Sequence, residues 1–359
     1  MPDGDSQAKA KELFDGALKL EEAGKYREAV ERYTQSIDVM PHAVSYFRRA
    51  LGYVELGEFE SAERDLTECI QGGYRTDGAY FLRASACIEQ ARFAEAVLDL
   101  NEAITIDPDK TAYRLYRATC MLTLGRYREA LDDYSEVIKH EPTARYYNAR
   151  GMAHMALNHI PEAVDDFSKA IESDNKSVSA FLNRASAYQQ EKRLDAALSD
   201  LSSAMALEPE NERALIARGN VNLHLGKIPN AIDDYSHAIN INPNESGYYQ
   251  NRGAARMLAA GYGNGAEPLI PEIARSALTD LDKAVELSPG HADAYATRAR
   301  LLNAMKQFDA ALKDSSKAIE LDGKSGIAFA QRAIAHRNLG QEQAANQDLT
   351  EARALGWKE

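Results

Sequence analysis

Charged side chains recur along this 359-residue chain at a fixed interval and in complementary sets. One set is Arg49, Arg83, Arg117, Arg150, Arg184, Arg218, Arg252, Arg298 and Arg332, and the other is Asp65, Asp99, Asp133, Asp166, Asp200, Asp234, Asp280, Asp314 and Asp348. So regular a series of opposite charges supports an internal ion pair repeated through the fold, or a ladder of arginines that reads an acidic ligand. Reactive groups lack such order. His154 and His159 lie five residues apart, on different faces of any continuous helix. Cys69, Cys87 and Cys120 are too few and too scattered for a disulfide framework or a zinc site, and read as small hydrophobes in a reducing compartment. The GxGxG run from Gly261 to Gly265 follows no strand and precedes no P-loop lysine. GxSxG, HExxH and kinase signatures do not occur, so the expectation is a protein without enzymatic activity, cofactor or metal.

The elements that carry these charges are visible in the small residues. Ala recurs at Ala29, Ala62, Ala96, Ala130, Ala163, Ala197, Ala231, Ala277, Ala311 and Ala345, spaced by 33 or 34 residues with one interval of 46. Twelve residues upstream stands a second small residue, from Ala17 and Ala50 to Gly151, Gly219 and Ala333. Two helices approach closely only where neither is bulky, so each period predicts a packed helix pair. Turns such as LGEF and LGRY supply a glycine to end the first helix. Pro41, Pro108, Pro142, Pro209, Pro243 and Pro289 end the second, because the residue before a proline is driven out of the helical region. Each Asp falls three residues after the recurring Ala and each Arg immediately before the upstream small slot, so the two face each other across the pair. The first period separates two pairing schemes: Gly16 replaces the Arg where Arg32 replaces the Asp, which predicts pairing within a period, Arg117 with Asp133 for example.

Segments such as LGRYREALDDYSEVIKHEP and LGKIPNAIDDYSHAININP resemble the tetratricopeptide repeat (TPR). Ten copies begin near residues 10, 43, 77, 111, 144, 178, 212, 246, 292 and 326. After an N-terminal extension over 1–9, a single solenoid is expected over 10–359, interrupted by an insertion loop at about 261–272, with no length left for a second domain. The resemblance implies an all-α, right-handed superhelical solenoid of antiparallel helix pairs, whose first helices line a concave groove. It also implies a protein-binding role: a scaffold or adaptor that holds a peptide or protein segment.

On the face that the family turns to its groove stand Phe14, Phe47, Leu51, Phe81, Ile88, Leu115, Met152 and Met155. Glu22, Glu55 and Glu89 repeat along its rim. These residues either receive a peptide with apolar anchors or pack between neighbouring helices. Later copies place Asn148, Gln189, Gln250, Ala296, Asn303 and Ala330 on this face, so it becomes more polar toward the C-terminus. The insertion offers Tyr262, Leu269 and Ile270 as a candidate docking loop. A co-chaperone-like carboxylate clamp of Lys, Asn and Arg is incomplete here, since Phe14 and Leu18 hold its first places and Asn183 and Asn251 lack basic partners. A self-assembling structural unit is a second alternative. Against it, the last helix carries Gln343, Asn346, Gln347, Glu351 and Arg353 on its outer face, and Trp357 is placed to fold back over it, which favours a monomer.

The net charge of −13 without a basic stripe argues against nucleic-acid binding. No apolar run reaches membrane-spanning length and no leader pattern opens the chain, so a cytoplasmic protein is expected.

Overall fold

The computed structural model describes residues 4–263 and 269–358. Among them are twenty helices in consecutive pairs. The first ten are α1 (Gly4–Glu22), α2 (Tyr26–Val39), α3 (Ala43–Glu55), α4 (Phe59–Gln71), α5 (Asp77–Glu89), α6 (Phe93–Ile106), α7 (Thr111–Thr123), α8 (Tyr127–His140), α9 (Ala144–Ala156) and α10 (Ile160–Ser173). There follow α11 (Val178–Gln190), α12 (Leu194–Leu207), α13 (Glu212–His224), α14 (Ile228–Ile241), α15 (Ser246–Ala259), α16 (Pro271–Leu287), α17 (Ala292–Ala304), α18 (Phe308–Leu321), α19 (Gly326–Asn338) and α20 (Glu342–Ala354). Residues 1–180 and 181–359 form two compact units, whose boundary falls in α11. Helix α1 extends upstream of residue 10 to Gly4, and the insertion gives up Pro271 and Glu272 to the first turn of α16.

In both units the recurring Ala is fully enclosed: Ala62, Ala96, Ala130 and Ala163 in the first, Ala197, Ala231, Ala277, Ala311 and Ala345 in the second. Their partners on the first helices are as small. Ala50 and Ala84 share buried clusters with Leu66 and Leu100. At two slots a ring leaves room for glycine alone: a Cβ on Gly151 or Gly219 would lie 2.6 Å from Phe167 or Tyr235, whereas Ala17 and Ala118 pack in clusters with Tyr33 and Tyr134. Interiors packed to crystal density transmit such a clash to the backbone, so neither glycine could be exchanged for Ala without a shift.

Each first helix ends in the same turn. In the first unit the Glu58 N–H donates to the Tyr53 carbonyl and the Gly57 N–H to that of Val54, the double bond of a Schellman cap. This cap needs a residue at positive φ. Gly57, Gly125, Gly226 and Gly340 supply it, whereas Ala91, Asn158, Lys192 and Lys306 adopt φ of 57–61° with a side chain attached.

The Arg and Asp series meet as expected within repeats. In all nine pairs, from Arg49–Asp65 to Arg332–Asp348, Nε and Nη2 donate to the carboxylate at 2.5–3.1 Å. The third nitrogen reaches into the preceding repeat. Nη1 of Arg49, Arg83, Arg117 and Arg150 donates to Thr34, Thr67, Asn101 and Ser135, and that of Arg252 and Arg298 to Ser236 and Asp282. The guanidinium planes lie 5.4–5.9 Å from rings three residues upstream, such as Tyr46, Tyr80, Tyr147 and Phe329. One arginine thus closes its own helix pair and ties it to the previous one. Hydrogen bonding to the partner aspartate raises the pKa of Arg83, Arg150 and Arg298 further. In the first repeat Arg32 lies beside Gly16, 3.9 Å from where a Cβ would stand, so the exchanged residues share the seat of the pair.

Asp133 is buried and Arg117 is half-buried. Removing the carboxylate in Asp133→Ala should therefore cost about 3 kcal/mol, read as a lower urea midpoint, because a guanidinium stays in the seam without its counter-charge. A loss near zero would mean that solvent already neutralises Arg117. Ala91→Gly should instead stabilise the fold by about 1 kcal/mol, read as a higher midpoint, since it relieves the left-handed strain at that cap. Burial pushes the thiols of Cys69, Cys87 and Cys120 up to about 11. In the native protein at neutral pH all three should resist alkylation by iodoacetamide and react only as the chain unfolds.

Candidate functional site

The residues singled out on the first helices of the first unit come together in part. Phe81, Ile88, Leu115 and Leu122 all pack on one buried cluster that includes Leu100, Tyr113 and Met121. Phe47 and Val54 pack on the neighbouring cluster around Leu66 and Cys69. Leu51 is half-buried, as is Met155, whereas Met152 is 44% exposed. Glu22, Glu55 and Glu89 are solvent-exposed at the ends of α1, α3 and α5.

The aromatic rings divide their surface between the protein and solvent. Phe14 sits 5.5 Å from Tyr33, Phe47 5.3 Å from Tyr74, and Phe81 5.0 Å from Tyr113, each in a tilted contact. Packing between helices covers part of each ring, and all three remain half-buried. The most open aromatic of this region is Tyr116, 42% exposed, which meets Phe81 edge-on at 5.1 Å. Sequence reasoning missed it because it stands one position beyond the Phe14, Phe47, Phe81 and Leu115 series. The signal was available, since tyrosine has an apolar body and a polar tip suited to a surface that is covered only on binding.

The face carries its own charge pattern. The Tyr33 hydroxyl donates to Glu21 at 2.5 Å, and Arg48 reaches the same carboxylate at 3.1 Å, linking the first and second repeats. Burial, followed by the bond to Glu21, raises the pKa of the Tyr33 phenol strongly. Half-buried apolar side chains and exposed carboxylates thus occur together on α1, α3 and α5.

For His154 and His159 the continuous helix that would separate their faces does not occur. Helix α9 ends at Ala156, so the chain turns between them and brings the rings to 5.8 Å instead of setting them on separate faces. His154 Nε2 lies 3.8 Å from Asp166, whose oxygens Arg150 already holds. Burial lowers the His154 pKa. Among the described residues, no group of three or more His, Cys, Asp or Glu side chains is placed to hold a metal ion.

In the second unit the candidate loop is divided. Tyr262 and Leu269 pack on a core of Met257, Ala260, Ala274 and Leu281, while Ile270 is 48% exposed. The Ile270 N–H donates to the Ala260 carbonyl and closes the base of the insertion. Asn264 and Gly265, the last two residues of the GxGxG run, lie outside the described residues. Trp357 is half-buried, and its N–H caps α20 by donating to Ala352. No described helix is long and apolar enough to cross a membrane.

Family models described as tetratricopeptide repeat match residues 47–111, 122–178 and 182–246, and a further one matches 292–325. No curated protein matches the chain. Among solved structures, a tetratricopeptide repeat protein from Parabacteroides merdae has a TM-score of 0.54 at 15% identity, covering 72% of this chain and 98% of that one. The APC/C hetero-tetramer Cut9-Hcn1 gives 0.52 at 14% identity, covering 99% of this chain and 82% of the other. Likeness at these identities shows the fold; the family matches, spanning more than half of the residues, go further. The chain belongs to the tetratricopeptide repeat family, whose members are in general non-catalytic protein-interaction modules.

Proposed function

We propose that the protein is a non-enzymatic adaptor that holds a peptide or protein segment of a partner on the first-helix face of its first unit. The observation that carries this reading is the exposure of Tyr116 and Met152, two large side chains each left more than two-fifths open on first helices of the unit that also carry the half-buried Phe81, Ile88, Leu115 and Met155. An apolar strip in water is a cost that a bound segment removes, at about 25 cal/mol per Å² covered. Phe14, Phe47 and Leu51 extend the strip toward the N-terminus. The exposed carboxylates of Glu22, Glu55 and Glu89 favour a segment that carries basic residues beside its apolar anchors.

The polar, exposed side chains Gln343, Asn346, Gln347, Glu351 and Arg353 on α20 support a monomer over a self-assembling unit. The three buried free thiols suit the reducing cytoplasm.

The half-buried Phe47 and Phe81 are structural as well as accessible, so their removal would confuse binding with stability. The informative variant is Tyr116→Lys with Met152→Lys, which changes only exposed positions. Immobilised protein carrying both changes should capture partners from cell lysate at least about tenfold less well than the unaltered chain, with unchanged helical circular dichroism. Equal capture by the two would remove this face as the binding surface.

A further inference from the structure

The second unit contains a cavity of about 990 Å³, at the upper end of the range for small-molecule sites. Its walls are largely apolar. Tyr262 and Leu269 come from the insertion, Met305 from the turn after α17, Phe308 from α18 and Ile334 from α19. All five are half-buried, so each keeps some surface open.

Arg300 sets this cavity apart. The other half-buried arginines of the chain each reach a carboxylate: the nine seam pairs, Arg48 with Glu21, Arg92 with Glu63, Arg114 with Asp133 and Arg256 with Asp280. Arg300 reaches none among the described residues, and no described Asp or Glu lines the cavity. Its Nε–H is shut away from solvent, but Nη1 and Nη2 are not, and they end a side chain that forms part of the wall. The Tyr262 ring, centred 5.4 Å from the guanidinium carbon, holds that charged end in place. Two exposed cations, Arg275 and Lys306, add to the positive charge of the lining, in a chain whose net charge is −13. Arg275 has Glu272 near it at 3.8 Å, a contact open to solvent and too long to neutralise it.

A partly desolvated cation without a counter-charge favours an anion, because their attraction is less screened there than in water. The open apolar walls favour hydrocarbon for a separate reason, the release of the water that covers them. A compact inorganic anion would answer Arg300 and leave those walls wet. A polypeptide backbone would bring polar groups that Leu269, Met305, Phe308 and Ile334 cannot answer. One molecule meets both demands if it carries a single negative head on an apolar chain.

We propose that this cavity is a small-molecule site for an amphipathic carboxylate of the fatty-acid class. The carboxylate sits at Nη1 and Nη2 of Arg300, and the hydrocarbon chain lies against Leu269, Met305, Phe308 and Ile334. The site is separate from the first-helix face of the first unit, in residues and in the kind of ligand it takes.

Displacement of dansyl-undecanoic acid, a fluorescent fatty acid, from the full-length chain tests the proposal. Hexanoate, octanoate and decanoate, each below its micelle concentration, should displace the probe, with affinity rising about fourfold for each CH₂ added. Arg300→Gln should weaken decanoate binding about tenfold or more. Lys306→Asn removes an exposed charge and places a tolerant residue at the left-handed φ of 61°. It should weaken binding less, with a loss that shrinks as salt is raised. Tyr116→Lys with Met152→Lys should leave decanoate affinity unchanged. The proposal is overturned if the probe does not bind, if decyltrimethylammonium or millimolar acetate displaces it as well as decanoate does, or if affinity is flat along the chain-length series. It is overturned too if Arg300→Gln and Lys306→Asn bind decanoate as tightly as the unaltered chain. A loss in Tyr116→Lys with Met152→Lys would also overturn it, since the fatty acid would then lie on the first unit.

Discussion

Two helices in this protein touch along a line of residues that have almost no side chain, and the other contacts depend on that approach. With Ala50 and Ala62 in one buried cluster, or a ring of Phe167 against Gly151, the helix backbones come near enough for one arginine to span the seam. The span is what makes the buried aspartates tolerable. A carboxylate at the depth of Asp133 or Asp166 would be expelled or protonated if it stood alone, and each is met by two parallel N–H donors. The charge pair is thus a consequence of close packing and also a check on it, because a wider seam would leave both ions unmet.

The third nitrogen of the same arginine extends this logic from one repeat to the next. Two residues after each buried Asp stands a short polar side chain: Thr67, Asn101, Ser135 or Ser236 in the repeats where the contact is seen. Such side chains are poor helix formers compared with Ala or Leu, since they compete for the backbone's own hydrogen bonds. Their placement on the second helices is explained by the acceptor they offer across the repeat junction. Nearest-neighbour coupling of this kind is what holds a repeat array together, since each unit has only its neighbours to lean on.

Much of this was legible in the sequence, and the reasons are local. The small slots, the glycine turns and the prolines act within one helix pair, so their spacing alone gave the pairs and the partners of each arginine. The exchange of Gly16 and Arg32 was enough to choose pairing within a repeat. The acceptor two residues after Asp was equally visible, but its meaning depends on which helix lies next door. Exposure was harder still. Phe47 and Phe81 read as groove residues, and whether Tyr74 or Tyr113 covers one side of each ring depends on the angle at which neighbouring pairs stack. The angle is set by packing across repeats and has no single-residue signature. His154 and His159 show the same limit on a smaller scale: a helix ending three residues before His159 brings together two rings that periodicity would separate.

One repeat position, taken in both units, shows how a single scaffold can present two chemistries. Met152 on α9 and Arg300 on α17 occupy the same slot of their repeats, and so do Met155 and Asn303 three residues later. In the first unit these places are apolar and partly open. In the second, the extra residues between α15 and α16 bring Tyr262 beside Arg300 and help to enclose polar groups that solvent would otherwise satisfy. An insertion is cheap in chain entropy, since closing a loop costs only logarithmically in its length, and here it encloses an exposed helix face as one wall of a cavity. The helix pairs themselves need not change for this to happen. The seam keeps its Ala299 and its Arg298–Asp314 pair, and only the outward positions differ. Recognition in such a fold is therefore decided by the few positions that packing leaves free, and by whatever the loops place over them.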